Sequence, residues 1–206
     1  MPAILVVDDH PAICYALKIY LEAEKDLCVM TTTDGGAVMA LIRQHPVDLV
    51  ILDIALLRLD GLDLLARIKH CRPATRVLML SGLAADKYAR RSLLAGADGF
   101  LSKQHLLSAI RAAVRLLLEG YSCFPADCLR SDSSRPARRG SALLSRLSNR
   151  EITVLRYLAE GKTNKQIGEL LQLSNKTVST YKARLLEKSG AASLAELLLQ
   201  LEEPPP

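Results

Sequence analysis

Four short apolar runs in the first half of the chain end on residues able to take part in phosphoryl chemistry. AILVVD closes on Asp8 and is followed by Asp9, DLVILD closes on Asp53, RVLMLS on Ser81 and GFLSK on Lys103. Three carboxylates gathered in one place repel unless a cation sits among them, and hard oxygen ligands suit Mg²⁺. One carboxylate can then attack a phosphoryl group while an ammonium and a hydroxyl neutralise its oxygens. Taken singly, each residue has an ordinary reading. An aspartate after a strand caps a helix or turn, Ser81 before Gly82 is turn chemistry, and a lone lysine is a solvated charge. Their joint occurrence at four run ends is what points to a site. His10, beside the two acids, invites a phosphohistidine reading as well.

These ends converge only if the runs are neighbouring parallel strands. Residues 3–8, 27–32, 48–53, 76–81 and 99–103 read as strands, several of them continuously apolar, as strands covered on both faces are. Helical spacing lies between them, most clearly over 104–118, where Leu107, Ile110, Ala113, Val114 and Leu117 share a face. This alternation predicts an α/β domain over residues 1–120. Its doubly wound, five-stranded parallel sheet would place ligands at the carboxyl ends of the strands.

Composition sets the wider bounds. Of 206 residues half are hydrophobic and 24% charged, which is globular, and with no Trp and two Phe the cores fall to Leu, Ile, Val and Ala. No apolar run approaches the ~20 residues needed to span a bilayer. The N-terminal MPAILVVDDHP lacks the basic start of a signal peptide, so a cytoplasmic protein is expected. The five cysteines, Cys14, Cys28, Cys71, Cys123 and Cys128, are odd in number and scattered, which fits a reducing compartment. Cys123 and Cys128 have no further Cys or His nearby to complete a metal site. Most of the net charge of +5 lies after residue 120, compatible with nucleic-acid binding and weak as proof of it.

Gly120 stops the last helix of the first domain, and residues 121–143 are predicted to form a linker around the Ser/Arg/Pro-rich RSDSSRPARRGS. Residues 144–206 read as a second, all-α domain of four helices. Ser148 or Asn149 caps the first, which Gly161 stops; the second runs 164–171. Ser174 or Asn175 caps the third, with Gly190 as its stop, and Ser193 caps a fourth ending before Pro204. The second and third, joined at 172–174, have helix-turn-helix dimensions. In the third helix Val178, Leu185 and Tyr181 face the core. Lys176, Thr177, Ser179, Thr180, Lys182, Ala183 and Arg184 remain exposed, a surface of hydroxyl donors, a methyl and cations suited to a major groove. Lys165, near the start of the second helix, adds a phosphate contact. The fourth helix carries Leu194, Leu197, Leu198 and Leu201, more apolar surface than covering three helices requires.

On the motifs VVDDHP, VILDI, MLSG and FLSK, residues 3–120 resemble a receiver domain of the flavodoxin-like fold. The resemblance implies that Asp53 is the phosphoacceptor and that Asp8, Asp9, Asp53 and the backbone carbonyl of Ala55 hold Mg²⁺. It further implies that Ser81 and Lys103 bind the phosphoryl group, and that Phe100 is the aromatic switch that turns inward with Ser81. A receiver needs no histidine of its own. Two departures stand out: Leu57 and Gln104 replace prolines usual in the family, the second beside a possible cis peptide. LSNREITVLRYLAEGKTNKQIGELL and LSNKTVSTYKARLLEK resemble the LuxR-type DNA-binding domain of the NarL/FixJ class. SNKTVSTYK and the DDHP start resemble its BvgA/EvgA branch. By position, Ser179, Thr180 and Ala183 would approach base edges and Lys176, Thr177, Lys182 and Arg184 would hold phosphates, while the fourth helix would pair two domains.

The expectation is therefore a two-component response regulator. A sensor histidine kinase, directly or through a phosphotransfer domain, would phosphorylate Asp53, and the active homodimer would bind promoter double-stranded DNA away from any membrane. It would be no enzyme beyond transfer to, and hydrolysis from, its own aspartate. An aspartyl phosphatase is a rival, but that class places a D-x-D signature after its first strand, and Asp8–Asp9–His10 is not one. A second rival is a binding protein whose receiver only dimerises, independent of any kinase.

Overall fold

The computed structural model describes residues 1–56, 59–82, 85–129, 147–171 and 173–202. The sequence departure at Leu57, the Arg-rich centre of the linker, Gln172 in the helix-turn-helix turn and the side chain of Leu201 lie outside the described residues. The chain divides into two units, Met1–Ser131 and Asp132–Pro206.

In the first unit five strands form one sheet: β1 (Ala3–Val7), β2 (Cys28–Thr32), β3 (Leu49–Asp53), β4 (Arg76–Ser81) and β5 (Gly99–Ser102). Their order is β2-β1-β3-β4-β5 and every pairing is parallel. The helices are α1 (Pro11–Glu22), α2 (Val38–Gln44), α3 (Gly61–Cys71), α4 (Ala85–Leu94) and α5 (Leu107–Leu118). β3 is buried at all five positions, which is why its sequence shows no alternation. On one face Leu17 and Leu21 of α1 and Ile110, Val114 and Leu117 of α5 pack on Ile4, Val6, Ile51, Leu78 and Leu80. The strand order reverses between β1 and β3, and such a reversal opens a crevice beyond the carboxyl ends of the strands.

Two local features hold the rim of that crevice. Pro11 occupies the first turn of α1, where its missing N–H costs nothing. At the start of α3, Asp60 caps the helix by accepting from the Leu62 amide at 2.9 Å. The Gly61 amide donates to Ile54 O at 3.1 Å, and a Cβ at Gly61 would overlap the carbonyl oxygen of Asp53.

The first unit extends beyond Gly120. Within residues 121–129, read from the sequence as the start of the linker, Cys123 forms a single bridge to Gly99 of β5. The Cys123 amide donates to Asp98 O at 3.1 Å, and the Phe100 amide donates to Cys123 O at 2.8 Å. A short helix, α6 (Ala126–Leu129), then packs against α4. A single bridge in the segment YSCFP leaves no periodic signature in sequence, and its proline and polar residues read as loop.

The second unit consists, among the described residues, of α7 (Asn149–Ala159), α8 (Asn164–Leu171), α9 (Asn175–Ser189) and α10 (Leu194–Glu202). Ser148 and Glu151 form a reciprocal capping box at α7, Ser174 caps α9, and Gly190 ends α9 at φ 69°. The core joins Leu147, Val154, Leu155, Leu158, Ile167, Val178, Leu185 and Leu197. Leu197 is wholly buried, so it serves this core and is no free part of a pairing face; Leu194 and Leu198 are half-buried beside it and Leu199 is exposed. No helix among the described residues is long and apolar enough to cross a membrane.

Gly168 permits the close approach of α8 to the segment leading into α9. Its carbonyl accepts from the Leu173 amide at 2.8 Å, and a Cβ there would lie 2.6 Å from Leu173 O. Gly168→Ala gains roughly 1 kcal/mol of helix propensity. Opposing this, forced repacking costs about 1–3 kcal/mol, and the backbone obstacle places the cost at the upper end. The substitution is expected to lower the melting transition of the second unit, by roughly 4–8 °C for each net kcal/mol lost. An unchanged or raised transition in calorimetry of the full chain would show that the turn relaxes freely.

Candidate functional site

The sheet brings the expected residues together. Asp8 and Asp9 follow β1, Asp53 ends β3, Ser81 ends β4 and Lys103 follows β5. Asp8, Asp53 and Ser81 are at most 2% exposed, and the Asp9 side chain is 6% exposed. The Lys103 ammonium bridges two strands, 2.6 Å from Asp8 Oδ2 and 2.9 Å from Asp53 Oδ2. The other Asp53 oxygen accepts from the Ala55 amide at 3.2 Å. His10 Nδ1 lies 2.7 Å from Asp9 Oδ1 and 3.1 Å from Asp8 Oδ1, while the imidazole itself stays largely in solvent. Cys14 lies beneath this cluster and donates its thiol to the Asp8 carbonyl at 3.3 Å.

The charges do not balance. Burial raises the Asp53 carboxyl above the ordinary carboxylate range; the Lys103 charge opposes this and the Asp8 charge adds to it. For Lys103, burial alone would lower the ammonium, but Asp53 and Asp8 together carry it above its usual value. One ammonium therefore serves several buried carboxylates. Asp8 Oδ2 meets the shared Lys103 ammonium and Asp9 Oδ1 meets the His10 imidazole, and neither buried oxygen gains a further hydrogen bond among the described residues. One ligand atom from each of Asp8, Asp9, His10 and Asp53 falls in a group whose members lie within 4.8 Å of one another. Buried, incompletely matched carboxylate oxygens in such a cluster fit a small divalent cation.

The loop after β5 takes a form of its own. No peptide bond among the described residues is cis, so the Lys103–Gln104 bond is trans. Where proline would have no N–H, the Gln104 amide donates to Ser102 Oγ at 3.2 Å, and the His105 amide donates to Ser102 O at 3.1 Å. The Lys103 amide donates to Ser81 O at 2.7 Å, which ties the lysine to the end of β4. Phe100 is fully buried in β5.

In the second unit, Lys165, Lys176, Ser179, Thr180, Ala183 and Arg184 are exposed, and Thr177 and Lys182 are half-buried. Ser174, Lys176, Thr177, Thr180, Tyr181 and Arg184 line a shallow groove of about 300 Å³ along α9. The far end of that helix is anchored by Lys188 Nζ, 2.7 Å from Glu151 Oε2, which also accepts from the Ser148 amide at 2.7 Å. Burial would raise the Glu151 carboxyl, but these bonds hold it below the usual range. Neither this anchor nor a bond from Asn164 Nδ2 to Ser179 Oγ at 3.1 Å carries a sequence signal, because both join separate helices.

Residues 4–115 match the response regulator receiver domain, and residues 145–200 match the bacterial regulatory proteins of the luxR family. The chain belongs to the response regulators that join a receiver to a luxR-type domain. It is 43% identical to the Fimbriae Z protein of Salmonella typhimurium, over 95% of this chain and 94% of that one. It is 41% identical to the virulence-factor regulator BvgA of Bordetella pertussis, again over 95% and 94%. In fold it is similar to RcsB of Salmonella enterica serovar Typhimurium bound to promoter rprA in the presence of phosphomimetic BeF₃⁻. That likeness has a TM-score of 0.62 at 24% identity, covering 98% of this chain and 99% of that one.

The raised Asp53 carboxyl has a consequence for stability. Its folded state keeps the proton to higher pH than the unfolded chain does. The ionised Asp53 carboxylate therefore opposes folding at neutral pH, and the opposition fades as pH falls through the raised value toward the ordinary range. In chelator at neutral pH, Asp53→Asn is expected to melt several degrees above wild type, and the gap is expected to narrow on mild acidification. A variant that melts lower at neutral pH would mean that the Lys103 pairing outweighs the burial cost.

Proposed function

We propose that this chain is a phosphorylation-controlled, DNA-binding transcriptional regulator, the response regulator of a two-component system, with Asp53 as its phosphoacceptor. The observation that carries the reading is the buried Asp53 carboxylate sharing one ammonium with Asp8 at the carboxyl edge of the sheet. A sensor histidine kinase, or a phosphotransfer domain acting for it, supplies the phosphoryl group. An Asp53 oxygen attacks phosphorus, the P–N bond to the donor imidazole breaks, and the product acyl phosphate is later hydrolysed by water. Phosphoryl chemistry is confined to this aspartate, and no other substrate is turned over.

Asp8, Asp9, Asp53 and the Ala55 carbonyl would hold Mg²⁺, which when bound neutralises charge on the phosphoryl oxygens. Lys103 pairs with the transferred group and Ser81 donates its hydroxyl to it. Phe100 senses that shift, and its own amide is bonded to Cys123 in the segment leaving the receiver. Movement of β5 or α4 therefore acts directly on the start of the connection to the second unit.

In the second unit Ser179, Thr180 and Ala183 face base edges, while Lys165, Lys176, Thr177, Lys182 and Arg184 hold phosphates. The active form is a homodimer. Leu194 and Leu198 lie at the margin of its pairing face together with exposed Leu199. Two half-sites on one assembly then gain effective concentration without new contacts. The protein acts in the cytoplasm, where the kinase phosphodonor and the promoter are both accessible.

Incubation with a small phosphodonor such as acetyl phosphate and Mg²⁺ is expected to label wild type and to leave Asp53→Asn unlabelled. Mass spectrometry of the intact chain reads the phosphoryl increment. Labelling that survives the substitution would overturn Asp53 as the acceptor.

A further inference from the structure

Two hydroxyls on the exposed side of α9, those of Ser179 and Thr180, do not point their protons outward. Thr180 Oγ1 donates to Lys176 O at 3.0 Å, and Ser179 Oγ donates to Asn175 O at 3.0 Å. A serine or threonine hydroxyl has one proton and two lone pairs, so each donor capacity is used within the helix. Ser179 is constrained further, because Asn164 Nδ2, on α8, donates to the same Oγ at 3.1 Å. One lone pair of Ser179 and two of Thr180 remain available. At Ser179 and Thr180 the surface read from sequence as offering hydroxyl donors thus offers acceptors, flanked by the methyl of exposed Ala183 and by cations.

We propose that α9 reads DNA through these acceptors, which recognise an exocyclic amino group in the major groove, with Asn164 as a positioning residue that holds Ser179 in this polarity. Only adenine N6 and cytosine N4 present amino donors there, whereas N7 of the purines and O6 of guanine call for donors. An A·T pair also offers the thymine methyl as a neighbour for Ala183. This assignment rests on the reading of α9 as the DNA-contacting helix.

The test uses the full chain with beryllofluoride and Mg²⁺ and a double-stranded DNA pool with a randomised core. In the selected duplex, single adenines are replaced by purine lacking the 6-amino group, single cytosines by pyrimidin-2-one, and single purines by their 7-deaza forms. Removal of one amino group in a half-site is expected to weaken wild-type binding about fivefold, the scale of one net hydrogen bond. The base that responds distinguishes adenine from cytosine. The loss should disappear in the double variant Ser179→Ala/Thr180→Val, whose exposed positions leave the melting transition in place. Asn164→Ala should narrow the ratio of selected to unrelated DNA affinity, an effect that general loosening of the domain would not confine to the selected site. Sensitivity to N7 deletion with none to amino deletion would overturn the proposal, as would amino sensitivity undiminished in the double variant. A pool from which no duplex is retained would overturn the DNA-binding reading itself, and the polarity proposal with it.

Discussion

Repulsion among the carboxylates of Asp8, Asp9 and Asp53 is the constraint to which the first unit is built. Two unit charges about 4 Å apart interact by about 4 kcal/mol at the effective dielectric of a protein surface. Lys103 is held between Asp8 and Asp53 and offsets part of this. The remainder leaves a pocket short of positive charge, and both a divalent cation and a phosphoryl group change that balance. The strain in this arrangement is electrostatic, and it is concentrated where a parallel sheet reverses its order. β1, β3, β4 and β5 each end there. Their apolar runs supply the burial that makes the charges matter, since the same carboxylates in water would interact several times more weakly.

The sheet and its site were readable in sequence for one reason. Parallel strands covered on both faces are continuous apolar runs, and the residue that ends each run stands at the ligand edge. Asp53, Ser81 and Lys103 were thus placed by grammar as much as by resemblance. The helix ends of the second unit were readable through Ser148, Ser174 and Gly190, whose side chains or φ values do the capping. Periodicity could not show contacts that depend on two elements meeting. Leu197 shares a helix face with Leu194 and Leu198, and only packing decides that it is the one swallowed by the core. The Asn164–Ser179 bond and the Lys188–Glu151 anchor fall in the same class.

The departure at Gln104 shows how a missing proline is accommodated. Its amide finds Ser102 Oγ, so the loop carrying Lys103 is held by a side-chain turn and a trans peptide. The stretch after Gly120 shows the opposite limit, where a segment that reads as linker carries a bridge to β5 at Cys123 and a short helix. Its bond from Phe100 to Cys123 puts the exit of the receiver one hydrogen bond from the buried aromatic of β5. α6 lies against α4 in the same region. Under the proposed function, β5 and α4 would carry a change in charge at Asp53 toward the chain that leads to the second unit.

On the proposed function, occupancy of the carboxylate pocket governs the affinity of the second unit for DNA. The most direct measurement is the equilibrium affinity of the full chain for a double-stranded DNA pool at fixed salt, with and without beryllofluoride and Mg²⁺. Pocket occupancy is predicted to tighten binding by roughly tenfold or more as paired half-sites engage together. Equal affinity in the two conditions would contradict the claim and leave the receiver as an assembly module without a switch.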